Sequence, residues 1–128
     1  MGRITYLSIP ERYRPLSKRI NCVLSNSTKS IHKEVHVFDN LNDALEFYEK
    51  DETIENVFVI GGGQVYQTAI NDKRCNKIYL TLITEDIECD TFFPQIPKDF
   101  EIKECIPMIE ENGLHFQFSI YQRKDLLI

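Results

Sequence analysis

Ile60-Gly61-Gly62-Gly63-Gln64-Val65-Tyr66 is the stretch on which the reading of this chain turns. Before it, Val57-Phe58-Val59-Ile60 is a short β-branched and aromatic run, which predicts a buried strand. After it, Gln64 to Ile70 predicts a helix with Val65, Ala69 and Ile70 facing inward. Consecutive glycines between a strand and a helix let the backbone turn tightly and let a ligand approach it, since no Cβ stands in the way. The helix start adds N–H donors and a positive dipole end, so the turn suits an anion such as a phosphate. The plain alternative is a strand-to-helix turn that merely needs glycine. The run does not complete G-x-G-x-x-G, so a standard dinucleotide-binding fold is not implied.

The 128 residues suit one domain with a single core. A net charge of −5 weighs against nucleic acid or an anionic membrane surface as partner. No apolar run approaches a membrane span and no secretory leader is evident, so a cytoplasmic location is expected. Cys22, Cys75, Cys89 and Cys105 are widely spaced, which favours buried free thiols over disulfides or zinc. His32 and His36 have a metal-compatible spacing but lie in a polar loop leading into a strand, and no metal is expected.

Outward from the glycines, the chain alternates strands and helices. Residues 3–9 predict a short helix that starts at Gly2 and stops at Pro10. Strands are expected at Ile20–Leu24 and Val35–Phe38, followed by a helix from Asn40, its N-cap, to about Lys50. That helix sets Leu41, Ala44, Leu45 and Tyr48 on one face. Lys77–Thr84 is the strongest strand in the chain, and residues 85–99 read as a loop. Phe100–Ile106 and Leu114–Gln122 alternate around Glu110-Glu111-Asn112-Gly113 as an antiparallel hairpin. The expected class is α/β, a mostly parallel sheet with an antiparallel C-terminal edge. Ligands of such sheets bind at the carboxyl ends of the strands, where Ser25-Asn26, the glycines and Thr84-Glu85-Asp86 gather.

Several segments in this order resemble one family. They are Met1-Gly2-Arg3-Ile4-Thr5-Tyr6, Ser8-Ile9-Pro10, Arg14-Pro15-Leu16 with Arg19, Val23-Leu24-Ser25, Ile60 to Tyr66, Ile78 to Thr81, Asp90-Thr91-Phe92-Phe93-Pro94, and Phe116 to Tyr121. Together they are similar to dihydrofolate reductase from its middle onward. The resemblance implies NADPH as cofactor and a folate as small-molecule substrate. It implies cofactor contacts from Gly2, Arg3, Thr5, Leu24, Ser25, Asn26, Gly61, Gly62, Gly63, Gln64, Val65 and Tyr66. Arg3 would pair phosphate oxygens, a task its rigid fork suits. Substrate contacts are implied for Ser8, Ile9, Pro10, Leu16, Arg19, Ile60 and Tyr66, with Arg19 on the glutamate α-carboxylate of the tail. The peptide between Gly61 and Gly62 is implied to be cis. The plain alternative makes Arg3 and Arg19 solvated charges, and Ile9, Leu16 and Ile60 core residues.

The departures from the family pattern are informative. Ile4 stands where Lys or His is common, Tyr6 where Trp is common, and Tyr13 where a small polar residue is common. About fifty further residues are implied before the point matched by Met1, a size that domains allow. They would carry the first, central strand and the acid that orients the pterin and assists protonation at N5. No residue here inherits that acid, and Thr81 matches only its supporting hydroxyl. The expectation is therefore a single, N-terminally truncated domain that lacks the first central strand, marginal in stability and inactive alone. A missing N-terminal segment or a fused thymidylate synthase is a candidate partner. A non-catalytic nucleotide-binding remnant is the alternative function, and a domain whose open sheet accepts a strand is a third.

Overall fold

The computed structural model describes residues 1–124, and its contacts divide the chain into two compact units, Met1–Ala69 and Ile70–Ile128. In the first unit, helix α1 (Arg3–Ser8) begins at an extended Gly2 and ends at an extended Ile9 followed by Pro10. Arg14 secures that end: its Nη1 donates to the carbonyls of Leu7 (3.0 Å) and Ile9 (2.9 Å). Helix carbonyls with no partner in the next turn are thus paired by a distant side chain. Strands β1 (Asn21–Leu24) and β2 (Val35–Phe38) pair in parallel, from Asn21 opposite Val35 to Leu24 opposite Phe38. Val23 is fully buried against Tyr6 and Val35, with Met1 and Ile31 beside them. Helix α2 (Leu41–Glu49) starts as expected, because Asn40 Oδ1 accepts the Asp43 N–H at 2.9 Å. Its apolar stripe buries Leu41, Ala44 and Tyr48.

One expected element is missing. Residues 57–60 belong to no strand, and Val57, Phe58 and Ile60 are exposed rather than buried. A strand exists only through a neighbour's backbone, and no described strand pairs with this run. Strand β1 also starts one residue later than expected, leaving Ile20 exposed. Helix α3 (Gly63–Ile70) follows the glycines as predicted, with Ala69 and Ile70 buried and Val65 half-buried.

The second unit is an antiparallel sheet of β3 (Lys77–Ile83), β4 (Phe100–Cys105), β5 (Ile109–Glu111) and β6 (Leu114–Arg123). Strand β6 lies between β3 and β4 and also pairs with β5. Strand β3 therefore runs antiparallel to β6 and does not join the parallel pair β1–β2. Glu111 faces Leu114 across the two residues Asn112 (φ 53°) and Gly113 (φ 77°), the double positive φ that suits a two-residue hairpin. The expected hairpin thus gains β5 as an extra strand. Ile70, Ile78 and Phe100 form the core, flanked by Cys75, Leu80, Ile96 and Tyr121. Arg123 ties the sheet's end together: it ion-pairs with Asp99, donates to the carbonyls of Cys75 (3.0 Å) and Asp72 (3.1 Å), and covers the Phe100 ring. The four cysteines are free; Cys22 and Cys75 are half-buried, whereas Cys89 and Cys105 are exposed, contrary to the expectation of burial.

Glu85, just beyond β3, is latched to the start of β6. The His115 N–H reaches both its oxygens (3.0 and 2.9 Å), and His115 Nδ1 lies 2.5 Å from Oε1. The backbone N–H first, and the ring second, hold the Glu85 carboxyl down to about 2 from an ordinary 4.5. Because the folded value is the lower one, the latch is fully made above the ordinary carboxylate range and is lost as pH falls towards the folded value. An NMR titration of the His115 amide should accordingly show a midpoint near about 2, absent in Glu85→Gln. A midpoint near the ordinary 4.5 would contradict the latch.

Candidate functional site

The glycine turn is where three segments of the first unit meet. Gly2 N–H donates to the Gly61 carbonyl at 2.8 Å, which ties the start of α1 to the turn. Gly2 also bridges Leu24 in parallel, and the Leu24 N–H donates to the Met1 carbonyl at 2.8 Å, which ties in the end of β1. Tyr66 N–H donates to the Gly62 carbonyl at 3.0 Å and so opens α3 directly from the turn. The Gly61–Gly62 peptide is cis, as the resemblance implies.

Gly61 requires glycine, and Gly62 is tightly neighboured. Gly61 has φ +113°, a region closed to L side chains, and a Cβ there would lie 3.3 Å from the Tyr66 ring. A Cβ on Gly62 would lie 3.2 Å from Thr5 Oγ1. The backbone is therefore bare on a surface walled by Thr5 and Tyr66. Burial pushes the Tyr66 hydroxyl up from its usual value, so it stays protonated and able to donate. Arg3, Asn26 and Gln64 are exposed, and Val65 lies half-buried beside Gly2. Ser25 is buried, with its Oγ accepting the Thr28 N–H at 3.1 Å, so its hydroxyl shapes its own loop. The set fits a phosphate-bearing cofactor: a glycine cradle free of Cβ atoms, a hydroxyl from Thr5 and an exposed guanidinium from Arg3.

A cleft of about 800 Å³ in the same unit brings together Leu16, Arg19 and Ile60 of the expected substrate contacts. Its volume is in the range of small-molecule sites. Ser8, Ile9 and Pro10 lie at the end of α1 and do not line it. Ser8 Oγ donates to the Thr5 carbonyl (2.6 Å), which engages it within the helix. Thr81 lies in the second unit, on β3, beside a smaller cavity of about 260 Å³.

The residue that organises the loop carrying Leu16 and Arg19 is Asn21, which has no place among the residues expected from sequence. It is only 3% exposed. Its Oδ1 accepts the Leu16 N–H at 2.8 Å, while Nδ2 donates to the carbonyls of Leu16 (2.9 Å) and Arg19 (3.2 Å). A single side chain thus sets the loop that carries Leu16 and Arg19. The available sign in the sequence was an Asn heading an otherwise apolar strand run. Arg19 Nε donates to the Ser17 carbonyl at 2.8 Å, which orients the guanidinium at the cleft. Tyr48 and Cys22 also line the cleft; Tyr48 OH lies 2.7 Å from His36 Nδ1, and burial pushes both the Tyr48 hydroxyl and the Cys22 thiol up.

A family model described as dihydrofolate reductase matches residues 1–123. The chain belongs to the dihydrofolate reductase family. It is 40% identical to dihydrofolate reductase of Aedes albopictus over 96% of this chain and 72% of that protein. Against the enzyme of Rattus norvegicus the identity is 39%, over 98% of this chain and 72% of the relative. The solved Schistosoma mansoni dihydrofolate reductase superposes with a TM-score of 0.81 at 34% identity, covering 96% of this chain and 72% of that one. The mixed α/β class thus agrees with the family fold. No helix among the described residues is long and apolar enough to cross a membrane.

Proposed function

We propose that this chain forms the cofactor turn and one wall of the folate site of an NADPH-dependent dihydrofolate reductase, and that alone it binds nucleotide without turnover. The observation that carries the reading is the Gly61–Gly63 turn, closed by Gly2 and walled by Thr5 and Tyr66. NADPH, when bound, supplies the hydride for reduction of 7,8-dihydrofolate. Arg3 and Thr5 take its phosphates with the Gly2 and Gly61–Gly63 backbone. Leu24, Ser25 and Asn26 flank the adenosine, while Gln64, Val65 and Tyr66 form the wall towards the nicotinamide. Ser8, Ile9, Pro10, Leu16 and Ile60 supply contacts along the substrate, and Tyr66 lies between the two ligands.

The reading assigns no proton-donating acid. Glu55 is the one carboxylate among the described residues that line the cleft, and it is exposed to water. Thr81 is assigned only as a supporting hydroxyl. The exposed thiols of Cys89 and Cys105 support a reducing, cytoplasmic setting.

The test is a fluorescence titration of the purified chain with NADPH, paired with an assay of dihydrofolate reduction. Saturable binding without turnover is expected. Turnover by the chain alone would overturn the missing-acid reading, and absence of binding would overturn the cofactor assignment. Arg19→Ala is expected to weaken a glutamate-bearing antifolate by ~1.5–3 kcal/mol, the range for a charged hydrogen bond, while sparing a small lipophilic one. Equal loss for both ligands would remove Arg19 from the tail site.

A further inference from the structure

Strands β1 and β2 run in parallel, so their carboxyl ends lie side by side. The Ser25 N–H continues that pairing by donating to the Phe38 carbonyl at 2.9 Å, which places Asp39 beside the Ser25-Asn26 turn. Ser25 Oγ accepts the Thr28 N–H at 3.1 Å and so closes the turn on itself. Lys29 follows, and its Nζ lies 3.0 Å from Asp39 Oδ1. The two side chains are 77% and 56% exposed, and an ion pair so exposed contributes little to stability. The start of α2 is capped by Asn40 rather than by Asp39. Lys33 stands just before β2, at its amino end, so Lys29 is the lysine of this loop bonded at the carboxyl end.

We propose that this pair reads the 2′ position of the cofactor's adenosine, with Lys29 attracting a 2′-phosphate and Asp39 opposing it. The inference rests on the cofactor reading above, which sets Leu24, Ser25 and Asn26 along the adenosine. It adds the groups that tell NADPH from NADH, two molecules that differ only in that phosphate. In parallel α/β sheets a carboxylate near a strand end bonds a ribose 2′-hydroxyl, whereas a nearby cation accommodates a 2′-phosphate. Both stand at one place in this chain. An ionised carboxylate only accepts hydrogen bonds, so Asp39 takes the hydroxyl of NADH and repels the phosphate of NADPH. Lys29 carries a compact point charge that suits a phosphate, but Asp39 largely neutralises it. Asn26, within the turn, is uncharged, and Arg3 follows Gly2, which is bonded to the glycine turn instead. Discrimination is a difference of two affinities. Asp39 keeps that difference small, so the chain takes NADH as well as NADPH.

The test is a fluorescence titration of the full chain with NADPH and, separately, with NADH, read as the ratio of the two dissociation constants. The wild type is expected to bind both, with constants within about tenfold of each other. Asp39→Asn should shift the ratio about tenfold towards NADPH, the size of one charged hydrogen bond. Asp39→Lys should shift it further the same way. Lys29→Met should shift it towards NADH by weakening NADPH and leaving NADH nearly unchanged. Should an Asp39 variant fail to fold by circular dichroism, Lys29→Met alone reads the pair. A wild type that binds NADPH but not NADH, or a ratio that stays constant across the folded variants, overturns the proposal and leaves the cofactor reading standing. A wild type that binds neither overturns the cofactor reading and the proposal with it.

Discussion

Gly61→Ala is expected to lower the affinity for NADPH at least tenfold, measured by fluorescence titration, and to lower stability at the same time. The added Cβ meets two obstacles at once. At φ +113° an L residue is strained wherever it is placed, at a cost on the order of 1–3 kcal/mol. The new atom would also lie 3.3 Å from the Tyr66 ring, so relief requires moving the aromatic wall of the turn. Because the Gly61 carbonyl accepts the Gly2 N–H, any shift of the turn is passed to the start of α1, next to Arg3 and Thr5. Every 1.4 kcal/mol lost from binding is about tenfold in affinity. Gly113→Ala is the control. It has φ +77° but open space around it, so it should cost ~1–2 kcal/mol of stability and leave nucleotide binding alone. Equal affinity of Gly61→Ala and wild type would show that the turn does not hold the cofactor.

Asn21→Leu is the second large effect. The shape is nearly kept, but the Leu16 N–H and the carbonyls of Leu16 and Arg19 lose their partner in a buried setting. A buried polar group left unpaired costs ~1–3 kcal/mol, so the loss here should be at least that large and visible as a lower denaturation midpoint. Asn21→Asp separates the contributions, since it keeps an acceptor for the Leu16 N–H and loses both donated bonds. Binding of glutamate-bearing antifolates should fall in both variants, because the loop that presents Arg19 is released. Unchanged stability in Asn21→Leu would mean that water replaces the side chain without penalty.

The elements legible in the sequence are those decided within about one helical turn. Asn40 followed by Asp43 marks a cap that depends on one side chain and one nearby N–H. Asn112-Gly113 marks a turn by the positive φ those residues tolerate, and Gly2 and Pro10 bracket α1 for similarly local reasons. The glycines at 61–63 announced a bare backbone turn, and the family resemblance attached a ligand to it.

Pairing is another matter. Val57-Phe58-Val59-Ile60 has the composition of a buried strand, yet without a neighbouring backbone it forms none and leaves Val57, Phe58 and Ile60 exposed. Lys77–Ile83 is a strand as its composition predicts, but its antiparallel partner lies nearly forty residues away, at 116–122. The roles of Arg14, Asn21 and Arg123 rest on carbonyls brought to them by folding, which no local pattern encodes. The amino-acid sequence by itself determined the caps, the turns and the glycine cradle, because each is a property of one residue and its near neighbours. Only the tertiary structure decided which extended runs became strands and which side chains hold the site in place, because a hydrogen bond needs both its ends.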